Sequence, residues 1–139
     1  MEEDWCTAPA ESADGQLIMV TGRRDTASFR NNPKFKIRIN VSWQYAPAGM
    51  PADADAETMG AATDNLQQVL SRDPVAVLTG IYTGAGCREW VFYTLSTNIF
   101  QKKLNEALAD LPLLPLQITA ENDPDWLEYA EMLDTLGDI

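Results

Sequence analysis

Residues 34–45 alternate strictly between apolar and polar side chains. The odd-numbered positions are Phe35, Ile37, Ile39, Val41, Trp43 and Tyr45, and the even-numbered positions are Lys34, Lys36, Arg38, Asn40, Ser42 and Gln44. Because side chains leave a β-strand on alternate faces, this pattern predicts a strand with one buried face and one polar face. The polar face is expected to meet water or a polar partner.

Residues 75–95 are predicted to form a β-hairpin around which the rest of the chain is organised. Two runs of β-branched and apolar residues flank the turn sequence Thr83-Gly84-Ala85-Gly86, whose glycines tolerate positive φ angles. The returning strand is expected to place one set of side chains on each face: Arg88, Trp90, Phe92 and Thr94 against Glu89, Val91 and Tyr93. Both faces are partly apolar, so we expect this strand in the middle of a sheet, with helices on one side and other structure on the opposite side.

Two helices are predicted on either side of this hairpin in the sequence. Apolar residues recur at intervals of three and four in residues 55–72 and 97–111. Asp53 or Asp55 and Ser96 or Thr97 are the candidate caps, and prolines at positions 74 and 112 stop the two helices.

A last helix is predicted from Asp123, which would cap it. Pro124 would occupy the first turn, where its missing N–H costs nothing, and Gly137 follows the final turn. Two short strands are also predicted, at residues 16–22 and 116–120.

From residue 34 onwards the predicted order is strand, helix, strand, strand, helix, strand. This order is typical of the ferredoxin-like split βαβ arrangement in an α+β fold, here with an extra N-terminal strand and a C-terminal helix. The strand at 34–45 would then have both neighbours occupied, so the strand at 16–22 belongs on an edge unless the strand order differs. Residues 1–15 show no periodicity and are expected to be a mobile acidic tail, which leaves a single domain over residues 16–139.

The composition narrows the possible chemistry. The 139 residues include no histidine, which excludes a His-activated nucleophile and a His-ligated metal. The two cysteines, Cys6 and Cys87, are too few for a structural zinc site. We therefore expect no catalytic residues, no metal and no cofactor. The acidic amino terminus and the free thiols suggest a cytoplasmic protein, and no apolar run is long enough to cross a membrane.

Charge is distributed unevenly along the chain. The formal net charge is −11, which disfavours nucleic acid as a partner. Residues 23–38 nevertheless carry six basic residues against one acid, whereas residues 121–139 carry seven acids and no base. This basic segment is either a solvated face or a docking surface for an acidic protein segment, phosphate or RNA.

Three sequence phrases resemble a bacterial family catalogued as a domain of unknown function, number 695. They are Tyr82-Thr83-Gly84-Ala85-Gly86-Cys87-Arg88-Glu89-Trp90-Val91-Phe92-Tyr93-Thr94, Leu104-Asn105-Glu106-Ala107-Leu108 and Asp123-Pro124-Asp125-Trp126-Leu127-Glu128-Tyr129. The resemblance spans residues 16–136 and implies no established activity. In some bacterial proteins a similar domain occurs beside one resembling the protein inhibitor of ribonuclease E, and this neighbourhood implies a regulatory binding module.

Two functions remain open from the sequence, beside nucleic-acid binding, which the net charge of −11 disfavours. The first is a non-enzymatic, cytoplasmic protein-binding or regulatory domain with an unidentified protein partner. The second is a carboxylate-based enzyme or small-ligand-binding domain that uses Glu89, Asp123 and Glu128 near Trp90. The candidate binding residues are Arg23, Arg24, Lys36, Arg38, Arg88, Glu89, Trp90, Asp125 and Glu128. The competing structural interpretation is that the aromatic residues are core and that the acids of the last helix are ordinary capping residues.

Overall fold

A computed structural model describes residues 4–137 as a six-stranded antiparallel sheet with four helices. The mixed α+β class predicted from the sequence is confirmed. The elements in this part of the chain are the strands β1 (Trp5–Glu11), β2 (Leu17–Arg23), β3 (Ile37–Gln44), β4 (Ala76–Gly84), β5 (Cys87–Thr94) and β6 (Leu116–Asn122), and the helices α1 (Ala27–Arg30), α2 (Asp53–Arg72), α3 (Thr97–Leu108) and α4 (Leu127–Leu136).

The sheet has the strand order β1-β2-β4-β5-β3-β6, and every neighbouring pair is antiparallel. The predicted hairpin is β4 and β5, and it lies in the interior of the sheet. Strand β3 has both neighbours occupied, by β5 and β6. Strand β2 pairs with β4 on one side and with β1 on the other, so it is the second strand from the edge of the sheet and not the edge strand.

Strand β1 corrects the expectation of a mobile tail. Residues 5–11 pair along their whole length with β2, from Trp5 opposite Arg23 to Glu11 opposite Leu17. Alternate small side chains, Cys6, Ala8 and Ala10, pack against the apolar cluster beneath α4. Small residues give little periodic signal, so composition alone could not separate this strand from a tail. Residues 1–3, also assigned to that tail, lie outside the described residues.

One face of the sheet is covered by α2 and α3. The side chains of Trp90 and Phe92 on β5 and of Ile39 on β3 are at most 2% exposed there. They pack with Met59 and Leu66 of α2 and with the apolar stripe of α3 in one cluster. The Ser96 hydroxyl caps α3 as predicted, by accepting the Ile99 N–H at 3.5 Å.

The opposite face is partly covered by α4. Its buried side chains Tyr129, Met132 and Leu136 pack against Val91 and Tyr93 of β5. The helix comes very close to β2 and β4 because Gly22 and Gly80 lie opposite each other there. A Cβ at either glycine would lie 2.6 Å from an atom of Met132. This is the structure that the apolar second face of β5 predicted.

Several element boundaries differ from the sequence-based prediction. Helix α2 begins at Asp53 after an Ala52 cap, so the acids lie in its first turn instead of capping it. Strand β3 begins at Ile37, and Phe35 packs with the α4 cluster, not with the other odd-numbered residues. A turn closed by the Phe35 N–H donating to the Asn32 carbonyl at 3.0 Å precedes the strand and breaks the alternation.

Helix α4 begins at Leu127, later than predicted. Residues 123–126 form a turn instead, in which the Trp126 N–H donates to the Asp123 carbonyl at 3.0 Å. Trp126 adopts the left-handed conformation with φ of 54°. Its ring is stacked on Tyr93 with centroids 4.0 Å apart, and its Nε1 donates to the Phe35 carbonyl at 2.7 Å. Burial of the indole therefore outweighs the local preference for a helix start at Pro124.

Candidate functional site

The polar side chains of β3 share the α4 side of the sheet with several charged residues. Helix α4 lies over β1, β2 and β4, so the surface of β3 and β6 beside its amino terminus is not covered by it. The cross-strand register places Arg38 opposite Glu121, Ser42 opposite Glu89, and Glu89 opposite Tyr82. We call this surface the polar sheet face and define it by Arg38, Asn40, Ser42, Tyr82, Glu89, Glu121, Asp123 and Glu128.

Arg38 lies among the carboxylates of the polar sheet face. Its Nη2 donates to Glu121 Oε2 at 2.9 Å, and its Nη1 lies 3.6 Å from Asp123 Oδ2. Its Nε donates to Asn40 Oδ1 at 2.9 Å. The side chain is 20% exposed, so the guanidinium is largely engaged within the protein. The planar guanidinium directs its N–H donors along fixed directions, so an arginine suits these acceptors better than a lysine would.

The Asp123 carboxylate caps α4, although the helix begins four residues later. Oδ1 accepts the Leu127 N–H at 2.9 Å and Oδ2 accepts the Glu128 N–H at 3.2 Å. The Tyr93 hydroxyl also donates to Oδ2, at 2.6 Å. Burial opposes ionisation, but these hydrogen bonds and Arg38 together lower the pKa of Asp123. Asp123 is therefore held as a carboxylate and has a structural role.

Glu128 is in the opposite situation. Its Oε1 accepts the Tyr82 hydroxyl at 2.6 Å. Its Oε2 is buried and is the one such side-chain atom without a hydrogen-bond partner among the described residues. Burial raises the pKa of Glu128, and the carboxylates of Glu89 and Asp123 add to the effect, whereas Tyr82 and Arg38 oppose it. Glu128 can therefore take up a proton more readily than an exposed glutamate, or accept a donor from a bound group.

Glu89 borders a shallow groove at the hairpin end of the polar sheet face. The Ser42 hydroxyl donates to its Oε2 at 3.2 Å. The groove has a volume of about 220 Å³ and is lined by Ile18, Tyr82, Gly84, Ala85, Cys87 and Glu89. Burial, followed by the Glu89 charge, raises the pKa of the Cys87 thiol, which keeps it protonated and weakens it as a nucleophile.

Trp90 and Arg88 lie on the other side of the sheet from Glu89. Trp90 is 2% exposed and its Nε1 donates to Thr63 Oγ1 of α2 at 2.8 Å. The Arg88 guanidinium lies 5.7 Å from the centre of the Trp90 ring, and its Nε donates to Thr83 Oγ1 at 2.9 Å. The alternation of β5 separates these residues from the polar sheet face, so the structure does not bring Trp90 or Arg88 to the carboxylates.

The remaining basic candidates do not form one patch. Arg23 Nε contacts Asp25 Oδ1 at 2.9 Å, and Arg24 Nη2 contacts Asp4 Oδ1 at 3.1 Å. Lys36 is exposed just before β3, and its carbonyl accepts the Asp123 N–H at 2.7 Å. The candidate acid Asp125 is exposed in the turn before α4. Only Arg38, Glu89 and Glu128 of the candidate binding residues contribute side chains to the polar sheet face.

Tyr82 and Glu121 are functional candidates that the sequence-based reasoning missed. Tyr82 could have been found, because the predicted turn at Gly84–Gly86 fixes the hairpin register and places Tyr82 opposite Glu89. Its contact with Glu128, 46 residues away in sequence, has no local signal. The pairing of Glu121 with Arg38, 83 residues away, depends on the position of β6.

Comparison with protein families gives a match that covers nearly the whole chain. The family is described as a family of unknown function (DUF695), and its model matches residues 3–134. The chain belongs to this family. Its description assigns no activity to the DUF695 domain, so the residues of the polar sheet face carry the functional argument.

Other comparisons add little to the family assignment. No curated protein matches the chain. A solved structure of a conserved hypothetical protein from Aquifex aeolicus, Aq1575, aligns with this chain at 11% sequence identity. The alignment covers 99% of this chain and 60% of the Aquifex chain. The TM-score of 0.28 gives no evidence of a shared fold.

Two further observations describe residues 4–137 of the DUF695 domain. None of the helices in this range is both long and apolar enough to span a membrane. No three Cys, Asp or Glu side chains within the same range are placed to hold a metal ion together.

Proposed function

We propose that this DUF695 domain is a non-enzymatic binding or regulatory domain, and that its polar sheet face takes a positively charged segment of a partner protein. The observation that carries the proposal is the charge balance of that face. Four carboxyl groups, on Glu89, Glu121, Asp123 and Glu128, lie on this face, and its single guanidinium, that of Arg38, contacts only Glu121 and Asp123 among them. An excess of carboxylates favours lysine and arginine side chains on the partner.

The exposure of these groups supports binding at the rim of the face. Glu121 is 67% exposed while it contacts Arg38, so one of its carboxylate oxygens is accessible to a partner. Glu89 is half-buried beside the groove and accepts one hydrogen bond from Ser42. Buried Asp123 and half-buried Arg38 would support the site, while Glu89 and Glu121 would contact the partner. Rim charges of this kind govern the rate and selectivity of association more than its affinity.

The strand order and the placement of the helices also support a binding role. We infer that β3, α2, β4, β5, α3 and β6 form a ferredoxin-like unit, to which β1 and β2 add at the β4 edge. The support is the order β4-β5-β3-β6 with antiparallel neighbours and both helices on one face. Both helices of this unit lie on one face of the sheet, and α4 covers only part of the opposite face, so the remainder is open to a partner.

Free thiols support a reducing compartment, and we propose the cytoplasm. Cys6 and Cys87 are both half-buried and unpaired with each other. Disulfides form and persist in oxidising compartments, whereas thiols in the cytoplasm are kept reduced.

The proposal is tested by affinity capture from the source cell with a matched pair of charge reversals. Glu89→Lys changes the polar sheet face, whereas Asp64→Lys makes the same charge change on an exposed position of α2, on the other side of the sheet. We expect the native chain and Asp64→Lys to retain the same partner protein at low salt, and Glu89→Lys to lose it. A carbodiimide cross-link from Glu89 or Glu121 to a lysine of the partner would locate the contact.

Thermal unfolding of each variant must match the native chain, so that loss of binding is not loss of structure. Equal capture by all three chains, or cross-links that avoid the polar sheet face, would contradict the proposal.

A second candidate function is carboxylate chemistry or small-ligand binding at the same face. The raised pKa of Glu128 beside the lowered pKa of Asp123 favours it, because acid and base roles require such a separation. The groove beside Glu89, with a volume of about 220 Å³, has room for a small ligand. Thermal-shift screening with small amines and polyols tests this candidate: a ligand that stabilises the native chain but not Glu128→Gln would support it, and the absence of any such ligand would count against it.

A further inference from the structure

Strand β6 leaves one edge of the sheet open. It is the last strand in the sheet order, and among the described strands it pairs with β3 alone. The Asp123 N–H donates to the Lys36 carbonyl at 2.7 Å, directly after the Ile37–Asn122 pair of the register. In an antiparallel ladder, residues whose N–H and C=O groups bond to the neighbouring strand alternate with residues whose N–H and C=O groups point away from it. The N–H and C=O groups of Ile118, Ala120 and Asn122 therefore point away from the sheet.

The other edge of the sheet, β1, is protected against pairing. Its ladder to β2 is flanked by the Arg24 N–H bonded to the Asp4 carbonyl and the Ser12 N–H bonded to the Gln16 carbonyl. The even-numbered residues of β1 therefore face β2, and Pro9 faces outward. A proline at that position removes a donor from the free edge, which is a common protection of edge strands.

Strand β6 has no such protection. Residues 116–122 contain no proline, glycine or lysine, and their pairing with β3 is regular. Every residue from Gln117 to Asn122 is exposed, and Ile118 is 44% exposed. An apolar groove of about 400 Å³ runs beside the strand on the α3 side, lined by Leu104, Leu108, Leu111, Leu113, Leu114, Leu116 and Ile118 among others. A long, regular edge with only one charged residue, Glu121, is expected to be covered.

We propose that β6 pairs with β6 of a second copy of this chain, antiparallel and about a two-fold axis at Thr119. This interface shares Glu121 with the polar sheet face, but it is argued from the open backbone edge of β6 and does not depend on the partner-binding role proposed for that face. In this register Ile118 of one copy lies opposite Ala120 of the other, and Gln117 lies opposite Glu121. The outward N–H and C=O groups of Ile118 and Ala120 then bond across the interface, while the two Thr119 residues form a non-hydrogen-bonded pair.

The sequence of β6 is self-complementary in this register, which favours a second copy over an unrelated strand. Apolar Ile118 meets Ala120 on the α3 side, and the Gln117 amide can donate to the Glu121 carboxylate on the polar side. The single charge of the strand is opposed by a neutral residue, so two chains of net charge −11 can meet here without like charges facing each other. Pro9 on the opposite edge disfavours β6–β1 pairing, so the assembly closes as a dimer and does not extend into a filament.

Directly opposed residues of an antiparallel pair share a face, so the two apolar grooves lie on one side of the joined sheet. Ile118 of each copy is a diagonal neighbour of Ile118 of the other, which joins the two apolar rims near the axis. Pairing therefore covers both the open backbone edge and part of the exposed apolar surface.

The first test is the oligomeric state of the full chain, measured by sedimentation velocity from about 1 to 200 µM. We expect a reversible dimer for the native chain. Ala120→Pro removes an outward N–H without removing a bond to β3, and it should weaken self-association at least about tenfold. The matched control is Thr7→Pro at an outward position of β1, which should leave the dimer intact.

The second test fixes the register with a disulfide in a Cys6→Ser/Cys87→Ser background. Non-hydrogen-bonded pairs place Cα atoms about 4.5 Å apart, within disulfide range. Thr119→Cys should therefore give a covalent dimer when oxidised glutathione accepts the two electrons and two protons. Gln117→Cys, on the same strand and face, lies opposite Glu121 and should form little covalent dimer.

A native chain that is monomeric at every concentration would overturn the inference. A dimer that survives Ala120→Pro unchanged and fails to cross-link through Thr119→Cys would also overturn it. If Ala120→Pro does not fold, Ile118→Lys provides the same comparison, because a lysine on the edge opposes strand pairing.

Discussion

Glu128 and Asp123 lie at the same end of α4, yet their carboxyl groups respond to the fold in opposite ways. Asp123 accepts three hydrogen bonds, including one from the Tyr93 hydroxyl. Glu128 accepts one, from the Tyr82 hydroxyl, and keeps a buried oxygen without a partner among the described residues. Hydrogen bonds to the charged form favour ionisation, and burial without them disfavours it. The pKa of Asp123 is lowered and that of Glu128 is raised.

The raised pKa of Glu128 predicts a pH-dependent effect of Glu128→Gln. A carboxyl group whose folded pKa lies above its unfolded value of 4.5 stabilises the fold when protonated, and this contribution is lost as pH rises through the folded pKa. We therefore expect the free energy of unfolding of Glu128→Gln to exceed that of the native chain at pH 8 by about 1 kcal/mol, and by less at pH 4.5. Urea unfolding at both pH values measures the difference.

Glu131→Gln provides the control, because Glu131 is an exposed position of the same helix. It should shift the free energy of unfolding by less than about 0.5 kcal/mol at both pH values. A Glu128→Gln variant that is less stable at pH 8 than at pH 4.5, relative to the native chain, would show that the carboxylate is favourably paired.

The hairpin of β4 and β5 depends on a turn that only glycine can complete. Gly86 has a φ of 81°, and a Cβ at this position would collide with the carbonyl oxygen of Ala46. The Gly86 N–H also donates to the Gly49 carbonyl, and the Gly86 carbonyl accepts the Tyr45 N–H, both at 2.9 Å. The turn therefore ties the hairpin to the loop after β3.

Gly86→Ala is expected to destabilise the domain by more than about 2 kcal/mol, because it combines a left-handed backbone with a steric conflict against the main chain. Gly60→Ala is the matched control. Gly60 lies within α2, and a Cβ added there would meet nothing within 4 Å, so alanine should stabilise the domain by about 0.5–1 kcal/mol. Thermal or urea unfolding of both variants checks the two signs, and a neutral Gly86→Ala would mean that the loop after β3 can move away.

The net charge of −11 acts on the molecule as a whole. The ion pairs of the described residues are mostly at least partly exposed, such as Arg24 with Asp4 and Arg72 with Glu106, and each contributes little. Self-repulsion among the excess carboxylates opposes the compact state at neutral pH. Salt screens that repulsion over a distance of about 10 Å at 0.1 M.

We therefore expect Tm at pH 7 to rise by about 3–4 °C between low salt and roughly 0.3 M NaCl, which corresponds to about 1 kcal/mol for a domain of this size. The same series near the isoelectric point of 4.2 is the control, since the net charge is then close to zero and the salt effect should largely vanish. Differential scanning calorimetry measures both series. A Tm that falls with salt at pH 7 would mean that attractive ion pairs outweigh the net repulsion.

The fold was predictable where the signal is local. The alternation of residues 37–44 gives β3 and its polar face, the glycine turn gives the β4–β5 hairpin, and Ser96 and Pro74 mark helix ends that the structure contains. Each of these features depends on residues within a few positions of one another, because side-chain period and backbone preference act over that range. The alternation along β5 also predicted that Glu89 and Trp90 lie on opposite faces of the strand. The alternative function that grouped Glu89 with Asp123 and Glu128 near Trp90 was inconsistent with that alternation.

Only the tertiary structure decided the remaining features. Strand β1 forms because β2 and α4 offer its small side chains a surface, and α4 starts at Leu127 because the Trp126 indole is buried against Tyr93. The polar sheet face depends on contacts between Arg38 and Glu121 and between Tyr82 and Glu128, which come from distant parts of the chain. The amino-acid sequence by itself determined the periodic elements and the charge balance. Strand order and helix placement decided which charges meet and which backbone edge stays open, because both follow from burying apolar surface across the whole molecule.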